Sequence, residues 1–184
     1  MSEVTDVALI ERIVDGDTEG FGELMNRYEA KLLRYAVYLI HDDALAQDIV
    51  QDTFIKTYRN LRGYNQKYKF SSWIYRIAHN EAMSAVRKMR HIAQDVDLEN
   101  VEDEGKESTI IREIDHAILR GKMQSCLDSI EAKYREVLML QYYENMQYDE
   151  IADILHVPSS TVGVWSSRGK ARLRKLCEEK GVTL

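Results

Sequence analysis

The 184-residue chain has only two cysteines and one proline, and it has no long apolar run. Cys126 and Cys177 stand far apart, without a CxxC pair or a neighbouring histidine, so the sequence predicts two ordinary thiols rather than a zinc site or a disulfide framework. Its apolar stretches fall short of the roughly 18 residues of a membrane span. The first residues, MSEVTDVALIERIVDGD, are acidic and lack the charged-then-apolar pattern of a signal peptide. We therefore expect a cytoplasmic protein.

The chain also lacks the residue groupings on which enzymes depend. Its five histidines are scattered, and no two stand at the spacing of metal ligands. There is no glycine-rich phosphate loop, and Cys126 has no evident base partner. We therefore predict a protein that is not an enzyme and that has no catalytic residues, no metal and no cofactor.

Positive charge is scarce overall, but the deficit is confined to one segment. The net charge is −6. Residues 1–90 carry 13 basic and 13 acidic side chains, residues 91–119 carry 2 and 9, and residues 120–184 carry 10 and 9. Local patches, rather than the total charge, decide where a polyanion binds. The acidic balance therefore does not exclude a nucleic-acid partner.

Helical periodicity dominates the sequence, and strand patterns are weak. We predict an all-α fold of two small helical domains joined by an acidic flexible linker, the second domain containing a helix-turn-helix. The predicted domains are 1–90 and 120–184, and the linker is 91–119, where the apolar rhythm is lost.

Local cap residues predict where the first helices begin and end. Asp17 is expected to cap a second helix, and the residues His41-Asp42-Asp43 are expected to separate that helix from a third over about 43–62. Ser71 or Ser72 is expected to cap a fourth helix. The pattern predicts that the third helix buries four residues: Leu45, Ile49, Phe54 and Tyr58.

The stretch YDEIADILHVPSSTVGVWSSRGKARLRKL reads as helix, turn, helix, with the second helix beginning near Pro158. A second helix of this kind lies in the major groove of DNA. Hydroxyl and backbone N–H groups at its start suit phosphate, and the residues there are Ser159, Ser160 and Thr161. Five cations follow, and each cation near a phosphate strengthens binding; they are Arg168, Lys170, Arg172, Arg174 and Lys175. The alternative is a helical hairpin with a solvated basic end.

A second concentration of unusual residues is YNQKYKFSSWIYRIAHN, residues 64–80. Rings with cations between them suit unpaired bases, because every base has a face that stacks. Tyr64, Tyr68 and Phe70 fall in the loop before the fourth helix, where we expect contact with bases rather than burial. Trp73 shares a helix face with apolar neighbours and is more typical of a packing residue.

Residues 46–88 resemble the promoter-melting domain of bacterial sigma factors, and residues from about 122 to 176 resemble the second domain of the extracytoplasmic-function (ECF) group of the sigma-70 family. The resemblance is carried by the strings D-x-x-Q-D-x-F, K-F-S-S-W-I-Y-R-I-A-x-N and P-x-x-T-V, in the expected order and spacing. It implies a transcription initiation factor that binds core RNA polymerase, directs it to promoter DNA and assists strand opening. It also implies an anti-sigma factor as a partner.

The resemblance further implies which residues form each surface. The polymerase-binding surface would include Asp48, Gln51, Asp52 and Phe54. The residues that read and melt the −10 element would be Tyr64, Asn65, Lys67, Tyr68, Lys69, Phe70, Arg76 and Asn80. The −35 element would be read from the recognition helix by Ser159, Ser160, Thr161, Ser167, Arg168, Lys170 and Arg172.

The recognition helix departs from the family pattern in one respect. Members usually place basic residues just after the Thr-Val pair, whereas this chain has Gly163 and Trp165 there. Either the −35 specificity differs, or contact with that element is weaker and depends more on serine; alternatively, Trp165 packs against an inhibitor or a neighbouring helix. The rival function is a helix-turn-helix regulator that binds duplex DNA without polymerase. Such a regulator would account for the second domain but not for the aromatic and basic loop.

Overall fold

The structure, a computed structural model, describes residues 4–95 and 125–181, with side chains described to residue 89 in the first of these ranges. The chain divides into two compact units, Met1–Lys106 and Glu107–Leu184. Most of the predicted linker lies outside the described residues. Among the residues that are described, no helix combines the length and apolar character needed to cross a bilayer.

The described part of the first unit consists of four α-helices and one short 3-10 turn. The helices are α1 (Asp6–Val14), α2 (Thr18–Ile40), α3 (Asp43–Asn60) and α4 (Phe70–Asp95), and the 3-10 turn is Leu61–Gly63. Helices α2, α3 and α4 pack against one another, and α1 lies on α2 and on the 3-10 turn. The loop over residues 64–69 therefore connects this turn to the start of α4.

The predicted caps of α2 and α3 are confirmed. The Asp17 carboxylate accepts hydrogen bonds from the backbone N–H groups of Glu19 and Gly20, at 3.1 and 3.3 Å. Asp42 accepts one from the N–H of Leu45 at 3.0 Å, and His41 turns the chain in the left-handed conformation. Such side-chain acceptors satisfy N–H groups that a helix start leaves unpaired.

Two local predictions about α3 and α4 are wrong. Tyr58 is 50% exposed, and Leu45 is only half-buried, although Ile49 and Phe54 are buried as expected. Helix α4 begins at Phe70, so neither serine is its cap, and the side chain of Ser72 is buried. The packing of α4 on α2, which sets the ring of Phe70 against that of Tyr28 at 5.4 Å, places this first turn against the core.

The described part of the second unit has helical residues at 125–128 and three further helices. These are α5 (Ala132–Tyr142), α6 (Tyr148–Leu155) and α7 (Ser159–Glu179). Between α6 and α7 the chain turns through His156, which is left-handed, and Pro158 immediately precedes α7. The predicted helix-turn-helix is therefore confirmed.

Trp165 contributes to the core of this second unit. A buried cluster of Leu127, Ile130, Tyr134 and Leu138 has Trp165 packed against it. Among the alternatives considered for this residue, packing against neighbouring helices is the one observed. Both units as described are all-α, which confirms the predicted fold class.

Candidate DNA and polymerase interfaces

The loop before α4 rests on a cluster of packed rings. Tyr64, Phe70 and Trp73 contact one another, with ring centroids 5.4 to 5.7 Å apart. Tyr28 of α2 meets Phe70 edge-on at 5.4 Å. Such tilted and edge-to-face pairs stabilise a core beyond their buried area. The cluster therefore joins the loop to α2 and α4.

The expectation that the rings of Tyr64 and Phe70 are exposed, so that bases could contact them, is wrong. Tyr64 is 9% exposed and Phe70 is 3% exposed. Phe70 belongs to the first turn of α4, which faces α2 rather than solvent. Tyr68, by contrast, is 59% exposed, as the sequence predicts for all three rings.

Hydrogen bonds fix the conformation of the loop that carries Tyr68. The Asn65 side chain accepts from the N–H of Lys67 at 3.0 Å, and the N–H of Tyr68 donates to the Asn65 carbonyl at 3.1 Å. The Tyr64 hydroxyl donates to the Tyr68 carbonyl. Burial raises the pKa of Tyr64, and the charge of Asp6 adds to the rise, so the phenol keeps its proton for this bond.

Two cations stand next to the exposed ring in the chain. Lys67 and Lys69 flank Tyr68 in the loop, and both are exposed. On α4, Arg76 is half-buried and Asn80 is exposed, and the two are four residues apart on one face of the helix. The fold thus combines one accessible ring with polar and basic groups suited to a single strand.

The residues predicted to bind polymerase separate into two groups on α3. Asp48 and Asp52 are exposed on the helix surface. Gln51 and Phe54 instead line an open groove of about 670 Å³ between α2 and α3. Phe54 is buried within it, and its ring meets that of Phe21 edge-on at 6.4 Å.

Sequence reasoning missed most of the apolar wall of this groove. Phe21 and Met25 contribute from α2, and Ile55 and Tyr58 contribute from α3. Ile55 is 47% exposed, and the Tyr58 ring packs on Phe21 at 4.9 Å. Apolar residues that fall outside the buried stripe of α3 could have indicated such a surface, because an amphipathic helix normally keeps its outer face polar.

In the second unit, α7 presents most of the predicted readers to solvent. Ser160, Ser167, Arg168 and Lys170 are exposed, whereas Ser159 and Thr161 are half-buried at its start. No side chain caps this helix start, where Pro158 is the cap residue. An uncapped helix N-terminus offers N–H groups and a positive dipole end to phosphate.

Arg172 is engaged within its own unit. It forms an ion pair with Glu131 and lies over the ring of Tyr134 at 4.9 Å. Hydrogen bonds from Lys133 and Arg172 lower the pKa of the Glu131 carboxyl. A phosphate would have to compete with these partners for the Arg172 guanidinium.

Each unit, taken by itself, has the features of a nucleic-acid-binding module, and comparisons with known proteins identify the class. The family description Sigma-70 region 2 matches residues 24–92, and Sigma-70 region 4 matches residues 120–173. The chain is 32% identical over 170 residues to the RNA polymerase sigma-H factor of Pseudomonas aeruginosa, covering 88% of each chain. It is 28% identical over 174 residues to the ECF RNA polymerase sigma factor SigW of Bacillus subtilis, covering 90% of this chain and 93% of SigW.

Two solved structures share the fold. The sigma factor RpoE, in complex with the anti-sigma factor NepR from Bartonella quintana, gives a TM-score of 0.74 at 23% identity and covers 88% of this chain and 98% of its own. CnrH, in complex with the cytosolic domain of CnrY, gives a TM-score of 0.67 at 21% identity. The match covers 95% of this chain and 97% of CnrH.

The chain therefore belongs to the extracytoplasmic-function group of the sigma-70 family. It is a transcription initiation factor that directs RNA polymerase to promoters. The rival interpretation, a regulator that acts on duplex DNA without polymerase, is not favoured. Sigma factors act as non-enzymatic initiation factors.

Proposed function

We propose that this sigma factor opens the −10 element with the loop before α4 and reads the −35 element with α7. In the first unit, Tyr68 stacks on an exposed base while Lys67 and Lys69 hold the backbone of the same strand. Arg76 and Asn80 extend this surface along α4. The observation that supports the proposal most is the exposed Tyr68 ring, which is held on a hydrogen-bonded turn between two exposed lysines.

Tyr64 and Phe70 have a supporting role in this proposal. They are buried beneath the loop, and Tyr64 holds the backbone of Tyr68 through its hydroxyl. A preorganised ring loses less conformational entropy on binding than a mobile one. The two buried rings therefore strengthen stacking by Tyr68 without touching DNA themselves.

Core RNA polymerase docks, in this proposal, on the surface formed by the α2–α3 groove and the neighbouring carboxylates. Phe54 and Gln51 line the groove, and the exposed Asp48 and Asp52 supply charge beside it. Protein interfaces commonly combine an apolar centre with a polar rim. An anti-sigma partner, such as NepR in the RpoE complex, would inhibit this chain by covering its polymerase and DNA surfaces.

The second unit holds intact duplex. The start of α7 takes phosphate through Ser159, Ser160 and Thr161, while Ser167 and Arg168 face the bases and Lys170 adds a phosphate contact. Arg172 contributes when DNA displaces Glu131. The protein makes and breaks no covalent bond in this role, and we place its action in the cytoplasm, where polymerase and promoters are.

The test is a reconstituted holoenzyme with a promoter selected from a random library. Tyr68→Ala should leave polymerase binding unchanged and lower the ratio of open to closed complex at least about fivefold, because one stacked base contributes roughly 1–3 kcal/mol. Permanganate reactivity of unpaired thymines measures the open fraction, and co-purification with polymerase measures binding.

Gln66→Ala is the matched control, because Gln66 is an exposed residue of the same turn without a ring. It should open the promoter as the wild type does. Phe70→Ala should reduce opening and thermal stability together, since it empties a buried site. Normal opening by Tyr68→Ala would rule out the −10 assignment, and absence of any promoter-selective transcript from the wild type would rule out the function.

A further inference from the structure

An apolar side chain occupies the outer face of α7. Val164 is 47% exposed, between the half-buried residues Gly163 and Trp165. Single exposed apolar residues are common on protein surfaces, so the exposure alone indicates nothing. Its position on the helix and the chemistry of its neighbours are what indicate a role for Val164.

Val164 lies nearly opposite the buried side of α7. Val162, Ser166 and Gly169 mark that buried side. At 3.6 residues per turn, Val164 points away from all three, in one row with Ser160 and Arg168. Both of these neighbours are exposed. The row belongs to the first half of the helix, the part of a recognition helix that contacts base edges.

The residues beside Val164 are occupied within the protein. A Cβ on Gly163 would stand 3.5 Å from Cε2 of Tyr148, so this position faces α6. Trp165 packs against the buried cluster of the unit. The two positions at which family members carry basic residues, Gly163 and Trp165, therefore offer no cation to DNA in this chain. Val164 lies between them at the centre of the exposed face.

A valine in the major groove discriminates by apolar contact. Thymine alone among the four bases carries a methyl group at that edge, the 5-methyl group. Against guanine or adenine, valine offers no donor or acceptor, so their groove-facing polar atoms would lose hydration without gaining a partner. The favourable partner for Val164 is thus a thymine methyl.

We propose that Val164 is a specificity-determining residue that recognises a thymine in the −35 element through its 5-methyl group. This inference rests on the proposed function, because it requires α7 to lie in the major groove. It adds to that function the identity of one base and the atom by which it is selected.

Replacing thymine by deoxyuridine tests the contact, because uracil lacks only the methyl group. Each −35 thymine of a selected promoter is replaced in turn, and run-off transcription by the holoenzyme is measured at limiting promoter concentration. At one position, the uracil substitution should lower run-off transcription by the wild type about fourfold. This is the loss expected when binding no longer buries one methyl group. Val164→Ala should start from a lower level and show no further loss at that position.

Lys170→Ala is the matched control on the same helix. Loss of this exposed cation should weaken initiation about equally on every promoter and leave the response to uracil unchanged. Circular dichroism should show unchanged helix content in both variants, since both side chains are exposed.

Two results would overturn the inference while the proposed function stands. One is promoter-selective initiation by the wild type with no uracil effect at any −35 thymine, including the case in which no thymine is selected there. The other is a uracil effect of equal size in wild type and Val164→Ala. Absence of selective initiation by the wild type would instead reject the function on which the inference rests.

Discussion

Tyr68 and Phe70 are near neighbours in the chain, yet one ring is exposed and the other is buried. The difference arises from Tyr28 of α2, whose ring meets Phe70 edge-on and closes the cluster beneath the loop. Nothing in the local sequence distinguishes the two rings, because both stand beside Lys69. A contact between residues far apart in the chain decides which of the two rings stays exposed.

The two cysteines are a second case in which distant residues meet. Cys126 and Cys177 are fully buried and form one small cluster with Leu173 and Leu176. Burial, together with a hydrogen bond to Cys126 that favours the protonated form, raises the pKa of the Cys177 thiol to about 11. The thiolate is the reactive form of cysteine, so both burial and protonation protect this residue at neutral pH.

We predict that neither native thiol reacts promptly with an aromatic disulfide reagent at pH 8. Two equivalents should react at once in guanidinium chloride, and the native rate should follow the rate of unfolding. Ala132→Cys provides the control, because Ala132 is exposed and a thiol there should react within the mixing time. Labelling of the folded wild type as fast as that control would contradict the buried pair.

At the scale of the element, α7 contains two glycines with opposite surroundings. A Cβ on Gly163 would meet the Tyr148 ring at an ordinary 3.5 Å. A Cβ on Gly169 would stand 3.1 Å from Cβ of Tyr134 and 3.2 Å from Cδ1 of Leu138. Gly169 therefore allows α5 and α7 to approach closely, whereas Gly163 serves no packing purpose of that kind.

Alanine at these two positions should have effects of opposite sign. Gly163→Ala should raise the free energy of unfolding by up to about 1 kcal/mol, the difference in helix propensity. Gly169→Ala gains the same propensity but overpacks the interface, which costs about 1–3 kcal/mol, so the net effect should be destabilising. Urea unfolding followed by Trp165 fluorescence in a Trp73→Phe background measures the second unit alone. Destabilisation by both variants would mean that Gly163 is also tightly packed.

The starts of α2 and α3 could be predicted from the sequence, but the start of α4 and the burial of particular faces could not. Asp17 and Asp42 cap helices where expected because capping depends on residues within one turn. The position of the Tyr58 ring depends on Phe21 of α2, on which it packs. The packing of Trp165 depends on the cluster that contains Leu127. The same limit explains why Val164 and the groove on α3 were missed.

The cap of α2 also predicts a pH dependence. Hydrogen bonds that Arg12, Gly20 and Glu19 donate to the Asp17 carboxylate lower the pKa of that carboxyl. A lowered pKa in the folded state stabilises the protein above the unfolded pKa, and this contribution is lost as pH falls through the folded pKa. Asp17→Asn retains a capping oxygen without the charge, so its stability should fall less than that of the wild type between pH 5 and pH 2 in urea unfolding. If the stabilities of the two proteins fell in parallel over this pH range, the ion pair between Arg12 and Asp17 would contribute nothing to stability.

At the scale of the whole molecule, the distribution of charge and apolar surface resolves the apparent conflict between a net charge of −6 and binding to DNA. The acidic excess falls within residues 91–119, while each flanking part is nearly balanced. In the first unit, the exposed Lys67 and Lys69 belong to the loop of Tyr68, and apolar residues line the groove between α2 and α3. Since these are different surfaces, polymerase binding and DNA binding should be separable by mutation.

Ile55 offers the sharpest test of that separation, because it is an exposed apolar residue of the groove. Ile55→Ser should leave the fold intact and weaken binding to core polymerase about tenfold, since an apolar side chain at the centre of an interface loses its contact. Val7→Ser is the matched control: Val7 is 37% exposed on α1, outside the groove, and should bind polymerase as the wild type does. Titration of polymerase against labelled protein gives the dissociation constants. Once saturated with polymerase, Ile55→Ser should open the promoter as fully as the wild type does. Equal affinities for Ile55→Ser and Val7→Ser would remove the groove from the polymerase interface.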